Sequence, residues 1–509
     1  MRKPKGKNKK SKTKNTKLGR YLTPERLKQG AKNRNRKQDI SSESNATKVP
    51  LGPSRKSWVD CAIEVEGFLR TADFRTLNKE ESWLLPLGQS DTSEISNRIG
   101  KARRRPGRVG KRIPVEVHLG IDFGTSSTKL VAGLPFEPGK PSYAIPAPTL
   151  LQSEDHPYLW RTLLWATENA GFSLEPETNA RQLRNLKTDL MMQTDHEERE
   201  LAEIHVTAFL YLQILQSIGW LRNEDQDTFD VDGVSWYFNF GYPAAKLDNN
   251  MTEMSFRRCC AAALSLHADL AACNVETIKS ALGDVTSDTA KKLVALGGFI
   301  VPEITAAVAG FAASHRFDEG LFAMIDVGGT TVDCCTFNLH APDHEKKCSI
   351  LEADVRNLGV LPLQLWTNAN GNKTTFLGAL YFELRSVIKK TRDDRNPLSP
   401  RWHSELPAFF VGGGSASVLH RRAFKDLSGE WLNQIAPECH RVRQVRLEPP
   451  ANMEHSLCNE NQVSRLFVAI GLSQPEFDML LTRLPSQIEN VHRYQQSDYE
   501  NAFVDKDQV

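Results

Sequence analysis

Apolar and polar residues begin to alternate at Val115. Val115–Ile121 reads as a β-strand, a turn follows, and Lys129–Ala132 returns as a second strand. Residues 178 to 219 read as largely helical, because Leu201, Ile204, Ala208, Leu212 and Leu215 recur at helical spacing. Ser235–Phe240 is expected as a strand and Met254–Ala272 as an alanine-rich helix. Val301–Ser314 is expected as a helix, followed by strand Leu321–Asp326. Phe409–Val411 reads as a short buried strand running into three glycines, and Arg465–Leu472 as a last short apolar helix. Strands and helices alternate, so the fold class is α/β.

The first 112 residues have another texture. Residues 1 to 47 are Lys, Arg, Asn, Ser and Thr with almost nothing to bury. Such a segment does not offset its ordering entropy and is expected to be disordered. Residues 48 to 97 are poorly periodic, with one amphipathic piece around Trp58 to Phe74. A basic stretch follows, through Arg98, Lys101, Arg103, Arg104, Arg105, Arg108, Lys111 and Arg112. Gly and Pro interrupt it, which favours a linker over a helix.

Composition changes this picture in one respect. The net charge of +3 hides an asymmetry, since residues 1 to 37 hold sixteen Lys or Arg and one acidic residue, Glu25. The rest of the chain is therefore mildly acidic. Two readings of the basic arm stand: a solubilising tail, or a counterion-releasing contact for nucleic acid or another polyanion. Only Tyr21 interleaves the charges as a stacking aromatic. The nine cysteines include the neighbouring pairs Cys259/Cys260 and Cys334/Cys335 and no Cys-x-x-Cys, a usage that fits reduced thiols packed as small hydrophobes. No apolar run reaches the roughly 18 residues of a membrane span, and no apolar segment follows the N-terminal charges as in a secretory signal. A cytoplasmic protein with no membrane contact is expected. The histidines show no metal-ligand spacing; His118 in a strand and His205 on a helix read as structural.

Chemistry concentrates in three glycine-rich turns. The first runs from Gly120 to Lys129 (GIDFGTSSTK). Gly124 is expected to take a positive φ, so that consecutive backbone N–H groups turn inward as an anion nest. Thr125, Ser126 and Ser127 add hydroxyls, and Asp122 at the strand end suits a Mg²⁺ ion that keeps its water shell. Taken alone, the segment can also be read as a plain hairpin turn. The second turn, Met324 to Asp333 (MIDVGGTTVD), repeats the logic, with Asp326 in the place of Asp122 and Thr330 and Thr331 as hydroxyls. The pair is suited to gripping a polyphosphate from two sides. The third, Phe409 to Ser415 (FFVGGGS), would let a flat base and ribose approach the backbone.

In order and spacing, LGIDFGTSS, AMIDVGGTTVD and FFVGGGS resemble the two phosphate motifs and the adenosine motif of the actin/Hsp70/sugar-kinase ATPase superfamily. Val301 to Gly310 (VPEITAAVAG) is similar to the connecting helix of the Hsp70 nucleotide-binding domain, with Ile304 in place of the usual proline and Pro302 ahead of the glutamate. Phe238 to Ala245 and Leu466–Ser473 resemble that family's next strand and closing helix. The resemblance covers residues 113 to 473 and is carried by short motifs. It implies a two-lobed actin-like ATPase fold made of duplicated ribonuclease-H-like domains. The expected division is a basic tail (1–47), an extension and basic linker (48–112), lobe I (113–320), lobe II (321–473) and a C-terminal tail (474–509).

The resemblance also implies roles. Asp122 and Asp326 would orient Mg²⁺. Gly124, Thr125, Ser126, Gly328, Gly329, Thr330 and Thr331 would bind the phosphates of ATP. Glu303 would position or activate the attacking water. Gly413, Gly414 and Ser415 would line the adenosine pocket. Arg184 and Lys187 are candidates for the Hsp70 lysine, although each reads more simply as surface charge on a helix. Asp333 would be a further magnesium-shell or structural carboxylate. The function implied is a nucleotide-driven conformational switch on a protein partner or client. About 36 residues follow the closing helix, too few for a peptide-binding β-sandwich, so client binding is expected through tails, lobes or a separate subunit. Alternatives stay open: a self-associating, filament-forming ATPase with the basic tail on DNA, a small-molecule kinase or activator ATPase, or a nucleotide-binding pseudoenzyme.

Overall fold

The computed structural model describes residues 57–72, 92–107, 114–153, 156–177, 179–192, 195–242, 250–285, 288–312, 318–341, 347–426, 439, 441–450, 452–454, 460–475, 481–483, 485, 488 and 490. The basic tail at 1–47, with its polyanion reading, and most of the C-terminal tail lie outside these residues.

Two β-sheets share one topology. In the first, β1 (Val115–Asp122), β2 (Ser127–Gly133) and β3 (Ser142–Ala144) form an antiparallel meander. On the other side of β1, β4 (Val234–Tyr242) and β5 (Gly298–Pro302) add parallel, giving the order β5-β4-β1-β2-β3. The second sheet repeats this. Strands β6 (Gly320–Val327), β7 (Val332–His340) and β8 (Lys347–Arg356) are an antiparallel meander, and β9 (Glu405–Val411) and β10 (Arg441–Gln444) add parallel beside β6. The order β10-β9-β6-β7-β8 is that of the first sheet. The fold is thus the expected duplicated ribonuclease-H-like α/β arrangement. In each sheet the aspartate-bearing turn joins the first two strands of the meander.

The extension contributes two helices to different cores. Helix α1 (Trp58–Leu69) starts on a capping box in which Ser57 and Asp60 satisfy each other's backbone N–H groups. It packs on helix α8 (Lys373–Lys390) of the second core, where Cys61 fits against Gly378 and Trp58 lies 5.4 Å from Tyr381. Helix α2 (Ser93–Arg103) belongs to the first core. The basic stretch from Arg98 to Arg103 is therefore helical and not a linker. Its charges do not make it solvated: Arg98 is buried, donates to Pro146 O at 2.8 Å, and lies over the Trp160 ring. Lys101 pairs with Asp230, and Arg222 donates to the carbonyls of Ala102 and Arg104, closing the helix end. The remaining basic residues Arg108, Lys111 and Arg112 lie outside the described residues.

The region expected as largely helical over 178 to 219 is helical in two pieces, α3 (Leu186–Met192) and α4 (His196–Glu224), after a short strand at Arg181–Leu183, with left-handed Asn185 (φ 61°) ahead of α3 and the cap Asp195 ahead of α4. Helix α4 is long and apolar enough by composition to cross a membrane, yet 94% of its most apolar window is buried in the protein, so it is a core helix. Helix α5 (Asn250–Ala268) packs on it and buries Cys259 and Cys260. Helix α6 is Glu303–Ala312; the expected helix began too early, because Val301 and Pro302 still pair with β4.

Helices α7 (Val360–Asn370), α8 and α9 (Val418–Asp426) cover the second sheet, and the last helix, α10 (Glu460–Leu472), returns to the first. Residues Met453–Glu454 pair with β3, and α10 lies across β1 and β2. Residues 453–454 and α10 thus join lobe I, where the sequence division put them in lobe II, while Leu481–Arg483 returns to pair with β8 of the second sheet. Asn239 of β4 fixes the end of α10, donating to Leu472 O at 2.6 Å and Gln474 O at 3.0 Å. Helices α6 and α10 cross at Gly310 and Gly471, where a Cβ on Gly471 would collide with Ala306 O. Beneath the crossing, Phe311, Phe322, Phe337 and Phe409 form an aromatic cluster with ring centres 4.0 to 6.4 Å apart.

Candidate functional site

The three glycine turns converge where the two meanders face each other. Thr125 Oγ1 lies 3.3 Å from Thr330 Oγ1, so the first and second turns touch across the cleft. Gly329 faces Ser126 at the same contact. Each turn is held from behind through its carbonyl oxygens. Thr162 donates from Oγ1 to Gly124 O at 2.9 Å and from N to Ser126 O at 3.2 Å. In the second turn, Thr330 O, Gly328 O and Gly329 O accept from Gly359, Val360 and Leu361, the amides that open α7. With carbonyls occupied, the N–H groups are the free partners of these turns. Among the described residues, the amides of Thr125, Ser126, Gly329 and Thr330 meet no backbone acceptor. Donors clustered this way, reinforced by hydroxyls, suit an anion.

The glycine at 124 is required for a reason other than the expected one. Its φ is not positive; a Cβ there would collide with Ser127 O. Positive φ appears in the third turn, at Gly412 (φ 86°), where a Cβ would strike Asp326 Oδ1 and Val327 O. Gly413, Gly414 and Ser415 form a single 3₁₀ turn behind it, and Gly414 is buried against Val327 and Val360.

Four carboxylates and two lysines line the cleft between these turns. Asp122 ends β1 and pairs with Lys129 of β2 at 3.0 Å. Glu303 opens α6 and pairs with Lys187 of α3 at 2.6 Å. All four groups are largely buried, and Lys187 also lies over the Phe123 ring. Arg184, the other candidate cation, follows the strand Arg181–Leu183 and donates back to Gln182 Oε1 on it. Asp326 and Asp333 are register partners across β6 and β7, one pair in from the turn. Burial, then the charges of Asp122 and Glu303, push the Asp326 carboxyl up to about 7. Burial, then Asp326 and Glu303, also push the Asp333 carboxyl well up, and its Oδ1 has no hydrogen-bond partner. Desolvation and mutual repulsion are the two causes that raise a carboxylate in this way, and both are relieved by a cation.

Asp122 and Asp326 offer hard carboxylate oxygens, the donor chemistry that Mg²⁺ takes. Among the described residues no group of three or more His, Cys, Asp or Glu is placed to hold a metal ion, so these carboxylates would not hold one alone. Mg²⁺ commonly sits in such open sites, keeping waters and taking ligands from phosphates.

The structure thus brings together Asp122, Gly124, Thr125, Ser126, Glu303, Asp326, Gly328, Gly329, Thr330 and Thr331, with Gly413, Gly414 and Ser415 one strand away. Sequence reasoning assigned no role to Lys129, Thr162 or the Gly359–Leu361 amides. Lys129 had a signal, as a lone charge in a strand that is otherwise apolar; Thr162 and Gly359 had none.

No protein-family profile matches the chain, and no curated protein matches it in sequence. Among solved structures it is similar to the ethanolamine utilization protein EutJ from Carboxydothermus hydrogenoformans, with 10% identity, a TM-score of 0.29, and coverage of 75% of this chain and 99% of that one. It is also similar to the ParM of a 15-stranded filament from Clostridium botulinum, with 13% identity, a TM-score of 0.32, and coverage of 72% of this chain and 99% of that one. The fold rests on the duplicated strand order and register.

Proposed function

On the premise that the two like-ordered sheets make a two-lobed α/β fold of the kind its glycine-turn motifs resemble, that of the actin/Hsp70 ATPase superfamily, we propose that the chain binds Mg-ATP between its lobes, hydrolyses it, and uses the nucleotide state to switch their relative position. The observation that carries this reading is the meeting of two amide-rich turns, at Thr125 and Thr330, over a cleft of carboxylates and lysines.

In this reading the amides of Thr125, Ser126, Gly329 and Thr330 hold phosphate oxygens from both lobes, and the triglycine turn receives the adenosine. A bound Mg²⁺, held through Asp122 and Asp326, would neutralise charge on the phosphates. Glu303 accepts the proton of a water whose oxygen attacks the terminal phosphorus, as the bond to the ADP oxygen breaks. Lys187 fixes the Glu303 carboxylate in place for that step and supplies positive charge beside the reacting phosphate. Positioning and charge neutralisation of this kind account for most of phosphoryl-transfer catalysis. The α6–α10 crossing connects the two sheets, so closing on a nucleotide is transmitted to both lobes.

The partner in this reading is another protein, acted on as a chaperone-like switch acts on a client. The first experiment measures ATP binding and phosphate release by the purified protein, then its sedimentation with and without Mg-ATP. Turnover with a protein that stays soluble in every nucleotide state supports the switch. ATP-dependent pelleting redirects the function to a filament, with the lobes as polymer contacts. Absence of any ATP binding overturns the reading.

A further inference from the structure

Three consecutive glycines cannot hold their own conformation, since they carry no side chains and lose the most backbone freedom on ordering. At Gly412–Gly414 every carbonyl is nonetheless engaged. Gly412 O accepts from Ser415 N at 3.2 Å, and Gly414 O accepts from Ser417 N at 2.9 Å. The middle one, Gly413 O, accepts from the guanidinium of Arg465, Nη2 donating at 2.9 Å. Arg465 belongs to α10, and its neighbour Ser464 accepts from Gly412 N at 3.2 Å. One helix turn therefore holds the turn on two successive residues.

That helix is rooted elsewhere. Its far end is pinned to the first sheet by Asn239, and Gly120 of β1 lies directly under Ala469 and Leu472. Arg465 also reaches the first lobe electrostatically. His156, on the short strand His156–Arg161, is lowered to about 4 by burial and then by the charge of Arg465.

We propose that Arg465 is a positioning residue for the nucleotide's adenosine: from a helix seated on the first lobe, it fixes the triglycine turn of the second through Gly413 O. The inference rests on the reading that this turn receives the adenosine. It extends that reading by assigning base affinity to a side chain of the other lobe, so adenosine and phosphates are held by separable parts. A charged donor on a carbonyl contributes more than a neutral one, and its removal leaves the carbonyl without a partner.

The test compares two ligands on full-length protein. ATP carries the base, and inorganic tripolyphosphate carries only the phosphates. Arg465→Met keeps the apolar stem and removes the donors. It is expected to weaken ATP about tenfold and leave tripolyphosphate within about twofold, with Arg465→Lys recovering part of the loss. Should the Met variant fail to fold, the Lys variant carries the same comparison at smaller amplitude. Unchanged ATP affinity, or equal weakening of both ligands, overturns the proposal. Gly413→Val separates the two levels: if it weakens ATP while Arg465→Met does not, the turn binds adenosine and Arg465 is irrelevant. If neither substitution changes ATP affinity, the adenosine assignment itself falls.

Discussion

Lys187 and Glu303 stand 116 positions apart in the chain and 2.6 Å apart in the cleft. The pair joins α3 of the first lobe to the start of α6, and the contact sets where the carboxylate points. Glu303→Gln is expected to keep nucleotide affinity within about threefold and to lower turnover by roughly 10² to 10⁴, the usual contribution of a general base. Lys187→Ala is expected to lower turnover by about tenfold or more. Phosphate release under saturating Mg-ATP checks both; normal turnover in the Gln variant excludes Glu303 as the base.

Asp326 feels the charges of Asp122 and Glu303 and lies against Gly412 of the third turn. Asp326→Ala is expected to abolish the Mg²⁺ dependence of nucleotide binding, measured by titrating a fluorescent ATP analogue with and without the metal. An unchanged metal dependence places the ion elsewhere.

The crossing of α6 and α10 has no room at Gly471. Gly471→Val forces a side chain into the Ala306 carbonyl. The expected cost is about 3 kcal/mol or more, at the upper end of overpacking in a core. That corresponds to a melting temperature lower by roughly 5 °C or more. A melting curve within a degree of wild type means that the helices separate more easily than the packing implies.

His118 is buried in β1, stacked 4.8 Å from Tyr237, and neither ring nitrogen has a partner. Burial lowers it to about 4. Its folded value lies below its ordinary value of about 6.5, so its contribution to stability is complete above that pH and is lost as pH falls toward 4. His118→Phe keeps the stacking and removes the titration. The variant is expected to lose about 1–2 kcal/mol less stability than wild type between pH 7 and pH 4.5. Denaturant melts at the two pH values measure this; parallel losses in both proteins remove His118 as a cause of acid sensitivity.

The parts of the fold that were legible in sequence are those with local signals. The two aspartate hairpins were visible because each is a strand, a glycine turn with hydroxyls and a returning strand, and because the pattern occurs twice. Glu303 was singled out only by the resemblance of VPEITAAVAG to the Hsp70 connecting helix. Lys187 read as surface charge because nothing near it in sequence indicates the Phe123 ring and the carboxylate that receive it. Helix α2 was read as part of a linker because Gly and Pro interrupt the basic stretch, and nothing local shows where Arg98, Lys101 and Arg103 find their partners. Their partners, Pro146 O, Asp230 and Ala271 O, lie far along the chain. The return of α10 to the first sheet was hidden for the same reason, since contacts between β1 and a helix some 340 residues later leave no periodic trace. Gly124 was assigned correctly to a tight turn on the wrong ground, because a backbone collision and a positive φ both select glycine.

The seat of α10 on β1 and β2 also orders the protein's synthesis. Gly120 and Gly133 lie under Ala469 to Ser473, so the groove above them stays bare until the ribosome has released residue 473. At about 5–20 residues per second this interval lasts roughly 17 to 70 seconds. Throughout it, the nascent first lobe exposes an apolar strip that its own chain has not yet covered.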